Sequence, residues 1–338
     1  MRITRRTMLG LGMGIAAGTA LAGLPGGRPS LAASFLQLLA ADRCLDAAVW
    51  RARIDEWQSL GVDTLYLQWL GLDGLDLLTS GPDGPGAAAL LEACAAAGMR
   101  VHLGLEHRPA EDAGLLSGSG RLAAALAERR AASLVLAEKA LALAKPGLLA
   151  GWYLPLELND LQLGDAALRA LLVDHVATSA AALWQLTPDL PVTASTFPSR
   201  DAAPEPFAAM LAAVWPQDRR FVFLLQDGVG AGLHTPASIL PLAAAVDRLA
   251  HRRGQRWGLI IEVFTQVSGP PISDGAFVAK PAPIERIRAQ LAVADRFPRA
   301  ERVAFAIPHY MATAAGSAAA ALAAGYRDAL ILPGLDAP

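Results

Sequence analysis

Two glutamates, Glu157 and Glu262, each close a short apolar run: Gly151-Trp-Tyr-Leu-Pro-Leu-Glu157 and Trp257-Gly-Leu-Ile-Ile-Glu262. A carboxylate at the end of a buried segment costs several kcal/mol unless it is compensated, so two such residues call for an explanation. Cleavage of a glycosidic bond needs this pairing. One carboxyl protonates the leaving oxygen, and the other attacks the sugar or activates water.

Six more apolar runs share the design, and most end on polar residues. They are Ser34-Phe-Leu-Gln37, Thr64 to Trp69, Arg100 to Glu106, Val192 to Thr196, Arg220 to Asp227 and Val303 to Tyr310. Segments of helical periodicity separate them. Asp46 can cap a helix carrying Val49, Trp50, Ile54, Trp57 and Leu60, with Gly61 as its stop. Others run from Leu90 to Ala97, Leu122 to Ala144, Asp165 to Leu186, Phe207 to Val214, Thr235 to Arg253, Pro283 to Phe297 and Ser317 to Gly325. Strand and helix alternating eight times predict an α/β fold, a single (β/α)8 TIM barrel over residues 33–338, with its chemistry at the strands' C-terminal ends. Strand alternation places Glu157 on the barrel axis with Tyr153 and Pro155, and Glu262 with Ile260 and Gly258. Strands four and seven then face each other across the mouth. Three long loops, His107 to Ser119, Asp227 to His234 and Thr265 to Ala282, belong to the same end and would shape a cleft.

The other strand ends supply a binding surface for a carbohydrate. Gln37, Gln68, Asn159, Gln226 and Asp227 are suited to sugar hydroxyls, and Trp69 and Tyr310 to sugar faces. Glu106, His107 and His309 complete the candidate set. The glycines after Asp227 do not make a dinucleotide fingerprint, because their spacing is wrong and an acid precedes them. His107, His309, Asp227 and Glu106 suggest a metal-dependent hydrolase as a rival. However, no His-x-His closes the first run and no His-Glu-x-x-His occurs, so neither metal nor cofactor is expected. A carbohydrate-binding barrel without catalysis is the other alternative, since a fold does not fix a function.

Ser34-Phe-Leu-Gln37, Leu67-Gln-Trp69, Gly151-Trp-Tyr-Leu-Pro-Leu-Glu157 and Leu225-Gln-Asp-Gly-Val-Gly230 resemble a bacterial domain-of-unknown-function family of glycosidase-like barrels. Glutamates ending strands four and seven also resemble the clan of retaining TIM-barrel glycoside hydrolases. The resemblance implies that Glu157 is the acid/base and Glu262 the nucleophile, acting on a bacterial polysaccharide or oligosaccharide. Leu156 is a departure, because many clan members have an asparagine there that contacts the sugar's 2-hydroxyl.

The 338 residues suit one barrel plus a leader. A net charge of -2 gives no reason to expect nucleic acid as a partner. Arg5 and Arg6 precede a mild, glycine-bearing apolar stretch from Leu9 to Ala22, so residues 1–32 resemble a twin-arginine export signal. The expectation is an exported, periplasmic protein without stable membrane insertion once the signal is removed. Cys44 and Cys94 fall on neighbouring helices, where a disulfide is conceivable, but two buried free thiols are the expected state.

Overall fold

A computed structural model of the chain describes residues 31–79, 84–109, 121–269 and 277–331. The expected leader lies almost wholly in residues 1–30, outside the described residues. Eight parallel strands close into a barrel: β1 (Ala33–Leu36), β2 (Thr64–Leu67), β3 (Arg100–Gly104), β4 (Leu149–Asn159), β5 (Val192–Phe197), β6 (Phe221–Gln226), β7 (Trp257–Glu262) and β8 (Glu301–Phe305). Each strand pairs with its sequence neighbours, and β1 closes on β8 through Ala33 opposite Val303 and Ser34 opposite Ala304. The fold is a (β/α)8 barrel.

Among the described residues, eight main helices cover the barrel: α1 (Ala47–Ser59), α2 (Ala87–Ala97), α3 (Leu122–Leu143), α4 (Ala166–Leu186), α5 (Pro204–Val214), α6 (Pro236–Arg253), α7 (Ile284–Ala294) and α8 (Ser317–Ile331). Local chemistry sets their ends. The Asp46 carboxylate accepts the Val49 amide at 2.8 Å, Asp165 accepts the Ala167 and Leu168 amides, and Thr235 caps α6 ahead of Pro236. Gly98 and Gly254 end α2 and α6 in the left-handed conformation. Val49, expected in the apolar stripe of α1, is exposed, and Trp50, Ile54 and Trp57 form that stripe. The α5 helix starts a turn early because Pro204 opens it, and α8 runs past Gly325. The eighth apolar run does not stay extended: Ile307–Tyr310 turns into a short helix, with Pro308 at its start.

The alternation expected along the strands is observed. Phe35, Tyr66, Tyr153, Leu224, Ile260 and Val303 fill the barrel, whereas Trp152, Leu154, Leu156, Leu259 and Ile261 pack against the helices. Helix α4 is long and apolar enough to cross a membrane, yet Leu172, Val176, Ala180 and Leu183 bury its inner stripe in the barrel layer. Cys44 and Cys94 are free thiols. Cys44 is exposed, contrary to expectation, and burial pushes the Cys94 thiol up to about 12. Of the long loops, residues 110–120 and 270–276 lie outside the described residues. The rest of the third loop forms an antiparallel hairpin, Phe264–Ser268 against Val278–Pro281, which rises directly from the end of β7.

Candidate active site

At the C-terminal end of the barrel lies a cavity of about 210 Å³, lined by Gln37, Gln68, Glu157, Gln226, Ala231, Glu262, Phe264, Gln266, Phe277 and Phe305. The ends of β1, β2, β4, β6, β7 and β8 each contribute a side chain or its immediate successor. Beneath it the barrel is packed, and a hydrogen-bonded chain forms part of the floor. Gln226 Nε2 donates to Ser195 Oγ at 3.5 Å, and Ser195 Oγ meets the Tyr153 hydroxyl at 2.9 Å.

Glu262 is almost fully buried, at 4% exposure. Its Oε2 accepts the Ala231 amide at 2.8 Å, and the Gly230 amide also favours its charged form. Behind it sits Asp227, equally buried. Asp227 accepts the amides of Val229 (3.1 Å) and Glu262 (3.4 Å), together with Gln290 Nε2 at 2.6 Å. Burial raises the proton affinity of both acids, and the proximity of Asp227 raises that of Glu262 further. The Gly230 and Ala231 amides and the Arg286 guanidinium oppose this for Glu262 without cancelling it. Arg286 is itself occupied by three carbonyls: Val229 at 3.1 Å, Glu262 at 3.1 Å, and Phe264.

Glu157 has the opposite environment: it is exposed to solvent at the cavity mouth. Its placement depends on an irregularity in β4. Leu154 pairs with Ala194, but the next partner, Ser195, pairs with Glu157, so Pro155 and Leu156 are extra residues. Proline has no amide to give to the ladder, so a strand tolerates it at such a bulge. Two inserted residues preserve the alternation, and Glu157 stays on the cavity side while Leu156 points into the helix-facing core. Arg129, reaching from α3 and nearly fully buried, donates to the carbonyls of Pro155 and Glu106 and holds the bulge in place.

Five of the twelve candidate residues thus surround one cavity: Gln37, Gln68, Glu157, Gln226 and Glu262. The other seven occupy different places. Asp227 lies one layer behind Glu262. Asn159 is buried and caps the short helix Asp160–Gly164, accepting the Gln162 amide at 2.9 Å. Trp69 is buried, donates Nε1 to Leu38 O at 2.9 Å and stacks on His107 at 4.8 Å. Burial pushes the His107 imidazole down to about 4. Glu106 accepts the Gly74 amide at 2.8 Å and Arg108 at 3.2 Å, within a small sheet of Gly71–Leu72, Leu75–Asp76 and Glu106–His107. His309 accepts the Gln37 amide through Nε2 at 3.1 Å, and burial lowers its proton affinity. Tyr310 packs behind Phe264, its ring 5.4 Å away. Among the described residues no three His, Cys, Asp or Glu side chains are grouped as metal ligands require.

The aromatic wall has only a weak signature in the sequence. Phe305 can be found by counting alternate positions from Val303. Phe264, Gln266 and Phe277 lie in a stretch rich in glycine and proline that gives no sign of a hairpin.

A model of the family described as "Domain of unknown function (DUF4434)" matches residues 31–318. The chain belongs to the DUF4434 family. No match was found among curated proteins. Among solved structures, a Bacteroides thetaiotaomicron VPI-5482 protein provisionally assigned as an alpha-L-fucosidase is similar, with a TM-score of 0.72 at 15% identity, covering 90% of this chain and 96% of that one. A beta-galactosidase from the psychrophilic Marinomonas ef1 gives 0.50 at 9% identity, with 81% and 53% covered. A glycoside hydrolase family 17 beta-1,3-glucanosyltransferase from Rhizomucor miehei gives 0.44 at 14% identity, with 82% and 88% covered. At these identities the likeness speaks for the barrel alone.

Proposed function

We propose that this DUF4434 protein is a retaining glycoside hydrolase acting on a bacterial polysaccharide or oligosaccharide. One observation carries the reading: carboxylates from β4 and β7 line the same small cavity at the catalytic end of a (β/α)8 barrel, in contrasting environments. Glu157 is open to water, where an acid/base can recharge its proton after protonating the leaving oxygen. Glu262 is held still by the backbone at Gly230 and Ala231, as a nucleophile aimed at an anomeric carbon requires. Its raised proton affinity means that attack draws on the ionised fraction, which positive charge developing on the sugar would favour. That same property favours a second allocation, with Glu262 as the proton donor and Glu157 as the attacking carboxylate. The leader argues for export by the twin-arginine route, so the substrate would be met outside the cytoplasm.

The test is release of reducing ends from a panel of bacterial polysaccharides. The wild-type protein should release them. Glu157→Gln and Glu262→Gln, each folded by circular dichroism, should lose at least about 10²-fold in rate. Wild-type rates in both variants would remove the pair from the mechanism.

A further inference from the structure

The charged groups lining the cavity are one-sided: among the described lining residues they are carboxyl groups alone. Gln68 is 7% exposed and Gln266 half-buried; both line the cavity, and the Oε1 of each has no hydrogen-bond partner. The carboxylates of Glu157 and Glu262 line it as well. None of the described lining residues is a lysine, arginine or histidine. Arg286, just behind Glu262, donates to three backbone carbonyls and does not line the cavity, and Lys280 on the returning hairpin strand does not line it either. Beside this polar rim, Phe277 is 51% exposed and stands edge-on to Phe264 at 5.3 Å, with Val267 and Val278 exposed on the same hairpin.

We infer that the site accepts sugar units without an anionic substituent and rejects uronic acids. This rests on the carbohydrate reading of the cavity given above and adds the charge class of the substrate. A hydroxyl both donates and accepts, so it can pair with the lining carboxyl groups and with the glutamine amides, and a pyranose can lay its C–H face against Phe277. A carboxylate only accepts, so an ionised lining carboxylate offers it no hydrogen bond. It would also share the cavity with the carboxyl groups of Glu157 and Glu262, with no cation among the described lining residues to receive it, and like charges repel. Discrimination of this kind comes from what the site refuses as much as from what it binds.

The experiment pairs neutral oligosaccharides with their C6-carboxylate counterparts, in gluco, galacto and manno configurations at equal chain length. Binding to the wild-type protein is measured by calorimetry at moderate salt. In at least one configuration the neutral ligand should bind at least tenfold more tightly than its uronate, and no uronate should be preferred. Gln266→Lys, which places a cation at the rim, should narrow that ratio at least threefold, whereas Gln266→Met should not. A uronate bound as tightly as or more tightly than its neutral counterpart would overturn the inference while leaving a carbohydrate site standing. Absence of binding by every member of the panel would overturn the carbohydrate reading and the inference with it.

Discussion

Replacing Gly230 with alanine should damage catalysis far more than it damages the fold. Gly230 passes so close to the end of β7 that an added Cβ would lie 2.5 Å from Phe264 O, 2.7 Å from Glu262 Cβ and 3.0 Å from Glu262 Oε2. Relieving the first contact to 3.0 Å requires a movement of about half an ångström. The Phe264 carbonyl cannot easily give, because Arg286 donates to it, and the Gly230 carbonyl is tied to the Gln266 amide at 2.9 Å. The displacement therefore falls on Glu262. Overpacking of this kind costs about 1–3 kcal/mol. Expressed in the transition state, that is a loss of roughly 5- to 150-fold, at 1.36 kcal/mol per tenfold. Gly232→Ala is the matched control. Its φ of +72° makes alanine strained, but nothing lies within 4 Å of the added Cβ. It should lower stability by about 1 kcal/mol and leave kcat/KM unchanged. Initial rates and thermal unfolding measured on both variants separate the two effects. A Gly230→Ala protein that is folded and within threefold of wild-type kcat/KM would refute the idea that the Gly230–Ala231 backbone positions Glu262.

Two further predictions concern the buried acids. Asp227→Asn removes a negative charge that raises the proton affinity of Glu262. With Glu262 as nucleophile, the ascending limb of kcat/KM against pH should move to lower pH; an unmoved limb would uncouple Asp227 from the reaction. The second prediction concerns stability. The folded protein binds the Glu262 proton more tightly than the unfolded chain does, so this contribution is full below the unfolded carboxyl value near pH 4.3 and is lost as pH rises through the raised folded value. Glu262→Gln should therefore flatten the decline of unfolding free energy across that window, removing a slope of up to about 1.4 kcal/mol per pH unit in urea titrations at stepped pH. Parallel slopes in both proteins would contradict the assigned environment.

The barrel was legible because its signals are local and repeated. Eight apolar runs, caps such as Asp46, Asp165 and Thr235, and stops at Gly98 and Gly254 each act within one turn of chain. Alternation correctly separated Tyr153 from Trp152 and Ile260 from Ile261. The site was only partly legible. Polar residues at strand ends serve several purposes, and the type of residue does not say which. Asn159 caps a helix, Glu106 ties together a small sheet, and Trp69 is committed to a backbone carbonyl. Arg129 is hidden in an alanine-rich helix, although it fixes the Pro155 bulge from across the layer. The Phe264–Phe277 contact joins two arms of a hairpin whose pairing is settled by hydrogen bonds rather than by composition.

The division of labour between the two glutamates is the central claim, and leaving-group dependence tests it most directly. The rates of Glu157→Ala and Glu262→Ala are compared on aryl glycosides with poor and with highly acidic leaving groups, for a sugar that the wild-type protein cleaves. An activated leaving group needs no protonation, so the first, bond-breaking step, read as kcat/KM, should recover in Glu157→Ala while Glu262→Ala stays inactive on both. Recovery by Glu262→Ala instead would exchange the two roles. Full activity of both variants on the poor leaving group would contradict the claim.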